Sequence, residues 1–312
     1  MSRKIALTGA TGFIGSALVN HLEAAGWQIQ ALVRSTSLGK RQEEATTQWV
    51  EGDLENLDSL RSLVNGVDAV VHCAGAVRGG SRVHFNRVNV GGVARLVQVA
   101  TEQHQVPRFL LISSLAAREP HLSAYAASKR QGEEILAKNA GKMVWAALRP
   151  PAVYGPGDKE LLPLLRWMGR GIAPVLGSRS ARFSLLYVED LARAVLQWLD
   201  SGSSERQSFE LHDGHQNGYT WSDVVDTVSR LRGRSVLRIQ VPVIILQLLA
   251  TLNAAGARLF GYAPMLTFGK IREFRHPNWI CDNTALSREI GWTPGISLEE
   301  GLHRTLRLDS VV

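Results

Sequence analysis

Thr8-Gly9-Ala10-Thr11-Gly12-Phe13-Ile14-Gly15 follows the apolar run Lys4-Ile5-Ala6-Leu7 and leads into Ile14, Ala17, Leu18 and Leu22. The run reads as a buried first strand. The spacing of the four apolar residues gives one face of a helix, closed by Gly26. Strand, glycine turn and helix therefore fall in the order a dinucleotide site needs. Gly9 allows a tight turn, Gly12 lets the main chain approach a pyrophosphate, and Gly15 lets the helix pack close to the strand. The helix N-terminus supplies free N–H groups and a partial positive charge to the phosphates. The spacing is Gly-x-x-Gly-x-x-Gly, not Gly-x-Gly-x-x-Gly, so the triplet gains its weight from context. A plain glycine-rich turn is the alternative.

The 312 residues are 45% hydrophobic and 20% charged, which suits one large or two modest globular domains with ample core. A signal peptide is not expected, because the first strand starts at once. No run of about 18 purely apolar residues appears, so no spanning helix is expected. Two cysteines, Cys73 and Cys281, make a disulfide framework unexpected and a reducing cytoplasm the default location. The formal net charge is +7, but the basic residues are scattered without interleaved aromatics. That pattern argues against nucleic acid as a partner. It suits phosphorylated ligands or an anionic membrane surface.

Gln28 to Val33 reads as the second strand. An acidic residue just after it would accept hydrogen bonds from an adenosine ribose diol. Arg34 and Ser35 stand there instead, and a guanidinium can bind a 2′-phosphate, with Lys40 and Arg41 as helpers. NADP(H) is favoured and NAD(H) is possible. Trp49 to Leu54 is a third strand ending in Gly52-Asp53-Leu54. Asp53 either accepts a bond from the adenine amino group or caps a helix over residues 55–65. Asp68 to Ala76 is a fourth strand that opens into Ala74, Gly75 and Ala76, small residues that let main chain approach a flat ligand. His72 and Cys73 read as core residues. Val83 to His104 reads as a helix with Asn89 in its middle, a locally unfavourable place. Its side chain is either exposed or bonds main chain or water near a site. Arg108 to Ser114 is the fifth strand, with Ser113 and Ser114 at its end.

Tyr125-Ala-Ala-Ser-Lys129 follows, and residues four apart share a helix face. A phenol has a pKa of about 10, so as an acid or base it needs its anion stabilised, and an ammonium does that. With Ser114, Tyr125 and Lys129 in order after the glycine loop, the chain resembles the short-chain dehydrogenase/reductase superfamily, extended branch. Thr8–Gly15 is similar to that branch's Thr-Gly-x-x-Gly-Phe-x-Gly, and Asn89-Val-Gly-Gly to its Asn-Val-x-Gly. Arg149-Pro-Pro-Ala-Val-Tyr-Gly-Pro-Gly157, Tyr187-Val-Glu-Asp-Leu-Ala192 and Gly291-Trp-Thr-Pro294 resemble later markers. The likeness is nearest to the 3β-hydroxysteroid dehydrogenase-like and dihydroflavonol reductase-like groups.

The resemblance implies an α/β fold, a Rossmann-like doubly wound parallel sheet over residues 1–150. A small substrate lobe over 151–312 sends some segments back to the core. It implies that Tyr125 donates or accepts the proton, Lys129 lowers its pKa and binds the nicotinamide ribose, Ser114 holds the substrate oxygen, and Asn89 supports a water relay. Ser113 is the fallback for Ser114. It also implies cofactor contacts at Gly9, Thr11, Gly12, Phe13, Ile14, Gly15, Arg34, Asp53, Leu54, Ala74, Gly75, Ala76, Pro151 and Val153, with no metal. A ketoreductase or hydroxy dehydrogenase is the first expectation. A sugar-nucleotide epimerase or dehydratase is the rival, and a non-catalytic nucleotide-binding protein the third possibility. Residues 83–104 and 123–137 resemble the helices that pair in family homodimers.

In the second half, Met143 to Leu148 reads as the sixth strand and Leu161 to Met168 as a helix. Phe183 to Val188 reads as a strand, and Asp190 to Leu199 as a helix returning to the core. Arg179 and Arg182 are candidates for a substrate phosphate. Pro242 to Phe260 carries an apolar stripe of Ile244, Ile245, Leu248, Leu249, Leu252 and Leu259, with Pro242 in its first turn. A helix packed on the substrate lobe is expected. The other reading is an exposed wall touching lipid or a greasy substrate.

Overall fold

A computed structural model describes residues 3–40, 47–178 and 180–306. The first half lays down β1 (Lys4–Thr8), α1 (Phe13–Ala24), β2 (Gln28–Val33), β3 (Thr47–Glu51), α2 (Leu57–Val64) and β4 (Ala69–His72). It continues with α3 (Arg82–Phe85), α4 (Gly91–Thr101), β5 (Arg108–Ile112), α5 (Ala124–Asn139) and β6 (Trp145–Arg149). The second half contains β7 (Ala152–Tyr154), α6 (Leu162–Gly169), β8 (Ile172–Val175), β9 (Arg182–Phe183), β10 (Leu185–Tyr187) and α7 (Val188–Asp200). Then follow β11 (Gln207–Glu210), α8 (Trp221–Arg232), β12 (Leu237–Gln240), α9 (Val243–Phe260), α10 (Phe268–Arg275), β13 (Asn278–Trp279), α11 (Thr284–Ile290) and α12 (Leu298–Leu306).

One seven-stranded sheet, in the order β11-β6-β5-β4-β1-β2-β3, runs parallel throughout. Strands covered on both faces need apolar residues on both faces. Ile5 and Leu7 accordingly enter the layer formed with Leu18, Leu22 and Trp198, whereas Ala6 faces the layer of Leu60, Leu96 and Leu136. Each such leucine contributes about 1.5–3 kcal/mol by leaving water. The strand order reverses at β1 and β4, where Thr8 lies in register with His72. That reversal opens a crevice at the carboxyl ends of the strands, where ligands of such sheets bind. β11 pairs with β6 and α7 packs on α1, so two pieces of the second half belong to the sheet body. A separate cluster of Tyr154, Leu165, Met168, Val224 and Leu302 forms the smaller lobe.

Three expected elements differ. The helix expected over 83–104 is broken into α3, a π-helical turn at Asn86–Val90, and α4. The single strand expected over 183–188 is two short ones, because β9 pairs with β13 while β10 pairs with β7. Residues 243–260 are helical as expected, with Pro242 as the N-cap rather than inside the first turn. This helix is not packed as an ordinary core-facing one: only Leu246 and Ala250 are buried.

Candidate active site

The turn between β1 and α1 is shaped by the absence of side chains. Gly9 has φ +78°, and a Cβ there would lie 2.7 Å from the Ala74 nitrogen. A Cβ on Gly15 would lie 1.9 Å from the Gly9 carbonyl oxygen, so any side chain would force α1 off the turn. Gly12 caps α1 without a side-chain bond, and its N–H donates to the Gly9 carbonyl at 2.9 Å. The first turn, with Phe13 and Ile14 half-buried beside Thr11, carries no acidic residue. Its N–H groups therefore face the crevice uncompensated, the arrangement that binds phosphate. This cradle fits a dinucleotide.

The next wall is set by Thr8 and Asn89. Thr8 Oγ1 accepts from the Ala74 N–H at 3.2 Å and bonds His72 Nδ1 at 2.7 Å. Burial holds His72 down at about 3, so it is a neutral core residue, and burial pushes the Cys73 thiol up to about 12, so it is no nucleophile. Asn89 is buried. Its Oδ1 accepts from the Ala76 N–H at 2.7 Å, and its Nδ2 donates to the Ala76 carbonyl at 3.0 Å and to Ser128 Oγ at 2.9 Å. The π-helical turn makes this reach possible, because an extra residue in the turn re-aims the side chain. With both N–H bonds spent on protein, Asn89 offers a relay water only acceptors. A Cβ on Gly75 would meet Asn89 Oδ1 at 3.2 Å and Lys129 Nζ at 3.9 Å, so a side chain here would crowd the Asn89 amide.

On the adenosine side, Arg34 is exposed and pairs with no carboxylate among the described residues. Arg41 and the side chain of Lys40 lie outside the described residues. Asp53 does not cap the next helix. That helix begins at Leu57, and Asn56 caps it by accepting from the N–H groups of Asp58 and Ser59. Asp53 instead accepts from the Glu55 N–H at 2.7 Å in a local turn. Leu54 packs its Cδ1 where a Cβ on Gly92 would come, which explains that glycine. One carboxylate escaped the sequence reading. Glu51 stands in register with Val33 and accepts from Ser35 Oγ at 2.6 Å. Only strand pairing brings it next to the residue after β2.

Ser114 follows the carboxyl end of β5 and lies beside Tyr125, and Lys129, on the same helix as Tyr125, reaches the last carbonyl of that strand. Ser123 caps α5 by accepting from the Ala126 N–H at 2.9 Å, which fixes where the tyrosine's helix begins. Burial raises the Tyr125 phenol above its ordinary range; a hydrogen bond donated by Ser114 and the charge of Lys270 act against that. Lys129 Nζ donates to the Ile112 carbonyl at 2.7 Å, and burial lowers this ammonium to about 8. Phe85 meets the Tyr125 ring edge-on at 6.0 Å. Ser113 faces away from Tyr125, donating to the buried Glu133, which also holds Arg149 at 2.6 Å. Ser114, not its neighbour, is therefore the serine beside Tyr125, while Ser113 is engaged by Glu133.

Lys270 was invisible in the sequence. It sits on α10, 5.8 Å from the centre of the Tyr125 ring, and its Nζ pairs with Glu273 at 2.9 Å. Glu273 is buried and accepts from Ser123, so the small lobe delivers an ammonium to Tyr125 through the cap of Tyr125's own helix. A Cβ on Gly269 would lie 2.8 Å from Ser123 Cβ, which lets α10 come this near.

The remaining expected residues fall into place more simply. Pro151 and Val153 are half-buried at the start of β7, with Val153 against the main core. Arg182 is exposed, and its Nη1 donates to the carbonyls of Asn217 and Gly218 at 2.8 and 3.1 Å. Arg179 lies outside the described residues.

A family model described as NAD dependent epimerase/dehydratase family matches residues 5–211, from the first strand to the last strand of the sheet. The chain belongs to the NAD-dependent epimerase/dehydratase family. It is 35% identical to the ceramide reductase of Caulobacter vibrioides, over 92% of this chain and 88% of that protein. It is 28% identical to the 2-alkyl-3-oxoalkanoate reductase of Stenotrophomonas maltophilia, over 96% and 98%. Among solved structures, a Bacillus cereus UDP-glucuronic acid 4-epimerase in complex with UDP-glucuronic acid and NAD superposes with a TM-score of 0.75 at 18% identity, covering 97% of this chain and 98% of that one. That likeness shows the fold. Membership makes this chain an NAD(P)-dependent enzyme of the extended dehydrogenase/reductase type.

Proposed function

We propose that this family member reduces the carbonyl of a lipophilic substrate, or oxidises the matching alcohol, with Tyr125 moving the oxygen's proton. The observation that carries this is the buried Tyr125 phenol with the Ser114 hydroxyl and the Lys270 ammonium beside it, one helical turn before Lys129. The glycine turn and the α1 N-terminus would hold the dinucleotide phosphates, and Lys129 its ribose. The nicotinamide, when bound, supplies the hydride chemistry. Tyr125 and Ser114 orient the substrate oxygen by hydrogen bonds, and Tyr125 gives or takes its proton. Lys270 and Lys129 stabilise the phenolate left behind. Asn89 keeps the 74–76 loop in place. The lipophilic class is supported by the two reductases named above and by an apolar rim of Val77, Val83 and Phe85.

NADPH is the proposed cofactor, because Arg34 is exposed and pairs with no carboxylate among the described residues, while Glu51 is engaged by Ser35. A homodimer through α4 and α5, which pack side by side, is part of the same proposal, as is a cytoplasmic location, which suits two free cysteines. The test is turnover of a panel of long-chain 3-oxo lipids by the protein and by Tyr125→Phe. The variant should lose about 10²–10⁴-fold in rate and keep its cofactor affinity. Interconversion of a sugar nucleotide with no net cofactor consumption, and no activity on the lipids, would replace this reading with the epimerase one.

A further inference from the structure

α9 leaves its apolar surface uncovered. Of its 18 residues only Leu246 and Ala250 are buried, against Ile271 of α10, while Ile244 (68%), Leu248, Leu252, Leu259 and Phe260 (76%) are exposed. Its mean hydropathy is 1.6, and by length and composition it could cross a membrane, contrary to the expectation from sequence. Its attachments forbid that. β12, just before it, pairs with β8 of the small lobe, and α10, just after it, packs back on the same body. Asn253 ties the return, donating to the Leu266 carbonyl at 3.1 Å and accepting from Tyr262 at 2.7 Å. Both ends therefore stay on one side, and the helix can only lie along a surface.

The sequence around it is one-sided in charge, with Arg230, Arg238 and Lys270 paired to Glu299, Asp226 and Glu273 and the rest of its lysines and arginines left without a carboxylate among the described residues. Between Asp226 and Glu273 there is no aspartate or glutamate, and there are seven lysines and arginines: Arg230, Arg232, Arg234, Arg238, Arg258, Lys270 and Arg272. The net charge of this stretch equals that of the whole chain, +7. Arg234 and Arg258 are exposed and pair with no carboxylate among the described residues. An apolar helix face within an acid-free, basic segment complements an anionic bilayer surface, and excludes a basic partner.

The helix also borders the catalytic mouth. After α9 the chain reaches Pro264, whose carbonyl accepts from the Gly79 N–H at 3.1 Å, on the loop that carries Val77. Six residues on, Lys270 stands at Tyr125. We propose that α9 lies in the surface of an anionic membrane and that the Tyr125 site takes its substrate from that bilayer. The delivery half of this rests on the carbonyl-reductase reading; the membrane contact does not.

The experiment is co-sedimentation of the full chain with vesicles of phosphatidylcholine alone and of phosphatidylcholine with about 30% phosphatidylglycerol. Binding to the anionic vesicles, weakened by salt, is expected. Leu248→Glu with Leu252→Glu, both at exposed positions, should cut it by at least about tenfold while circular dichroism stays parental. Phe260→Trp should be quenched by brominated lipid chains. Tyr125→Phe should sediment like the parent, so a failed reductase reading and a failed membrane reading are told apart. No binding to anionic vesicles, or equal binding by the double variant, overturns the proposal. So does a double variant that turns a dimer into a monomer while the parent ignores vesicles, since a second copy would then cover α9.

Discussion

Lys129→Met should remove a rise in stability between pH 7 and 9 from the cofactor-free protein, and the size follows from the site. Burial lowers the Lys129 ammonium from 10.5 to about 8. Its folded pKa lies below its unfolded one, so between about 8 and 10.5 the folded chain binds fewer protons than the unfolded chain. Stability from this group therefore rises with pH across that window. At pH 7 the buried charge costs about 3 kcal/mol, and raising the pH to 9 recovers about 1 kcal/mol of it. Methionine fills similar space without the charge, but it leaves the Ile112 carbonyl without its 2.7 Å donor, at a cost of about 1–3 kcal/mol. The net change at pH 7 thus lies between nothing and about 2 kcal/mol of stabilisation. The pH slope is the sharper quantity. Cys281, pushed up to about 12, opposes it near and above pH 9 but acts in both proteins and cancels in the difference, whereas Cys73, which Lys129 holds down, is pushed further up in the variant and adds to the parent's relative gain there. Urea unfolding at pH 7 and 9 gives that difference. The parent should gain about 1 kcal/mol relative to Lys129→Met. Parallel pH dependences in the two proteins would show that Lys129 is not a buried charge, and the account of the site's electrostatics would fail.

Other outcomes follow from single contacts. Gly15→Ala places a methyl 1.9 Å from the Gly9 oxygen, so α1 must retreat from its turn; titration should show cofactor affinity down at least about tenfold, with about 1–3 kcal/mol lost in unfolding. Lys270→Met removes a charge that holds the Tyr125 phenol down, so the acid limb of the alcohol-oxidation pH profile should move to higher pH, and Lys270→Arg should restore it. An unmoved limb would confine Lys270 to holding Glu273. Arg34→Ala should narrow the preference for NADPH over NADH measured by fluorescence titration; a parent that binds both equally leaves Arg34 without that role. Light scattering at micromolar concentration should report a dimer.

The residues that were legible in advance share one property: their partners are close in sequence. At Gly12 and Gly15 a side chain is crowded or forbidden by the main chain of Gly9 and Ala10, a few positions away; Gly9 differs, since it is Ala74 on the next strand's loop that keeps it bare. Tyr125 and Lys129 are paired by helix pitch alone. Continuous apolar runs marked the strands because both faces of a parallel sheet are covered. Boundaries were less legible where a side chain chose between caps, as when Asn56 rather than Asp53 started α2.

What remained hidden depends on groups that only folding brings together. Ser113 and Ser114 are equivalent in a linear reading; the buried Glu133–Arg149 pair takes one and leaves the other for Tyr125. Asn89 looked misplaced in a helix until a π-helical turn aimed it at Ala76. Glu51 reached Ser35 across paired strands, and Glu273 reached Ser123 across 150 residues. The stripe of α9 has the period of a core-facing helix, and period reports only that one face differs from another. Whether that face meets protein or the surroundings is decided by what else is left to cover it, and here Ile271 covers Leu246 and Ala250 alone. Local chemistry thus determined the cofactor turn and the tyrosine–lysine pair, whereas the long-range arrangement decided which serine, which ammonium and which exposed surface accompany them, because charge, burial and access are properties of the assembled neighbourhood.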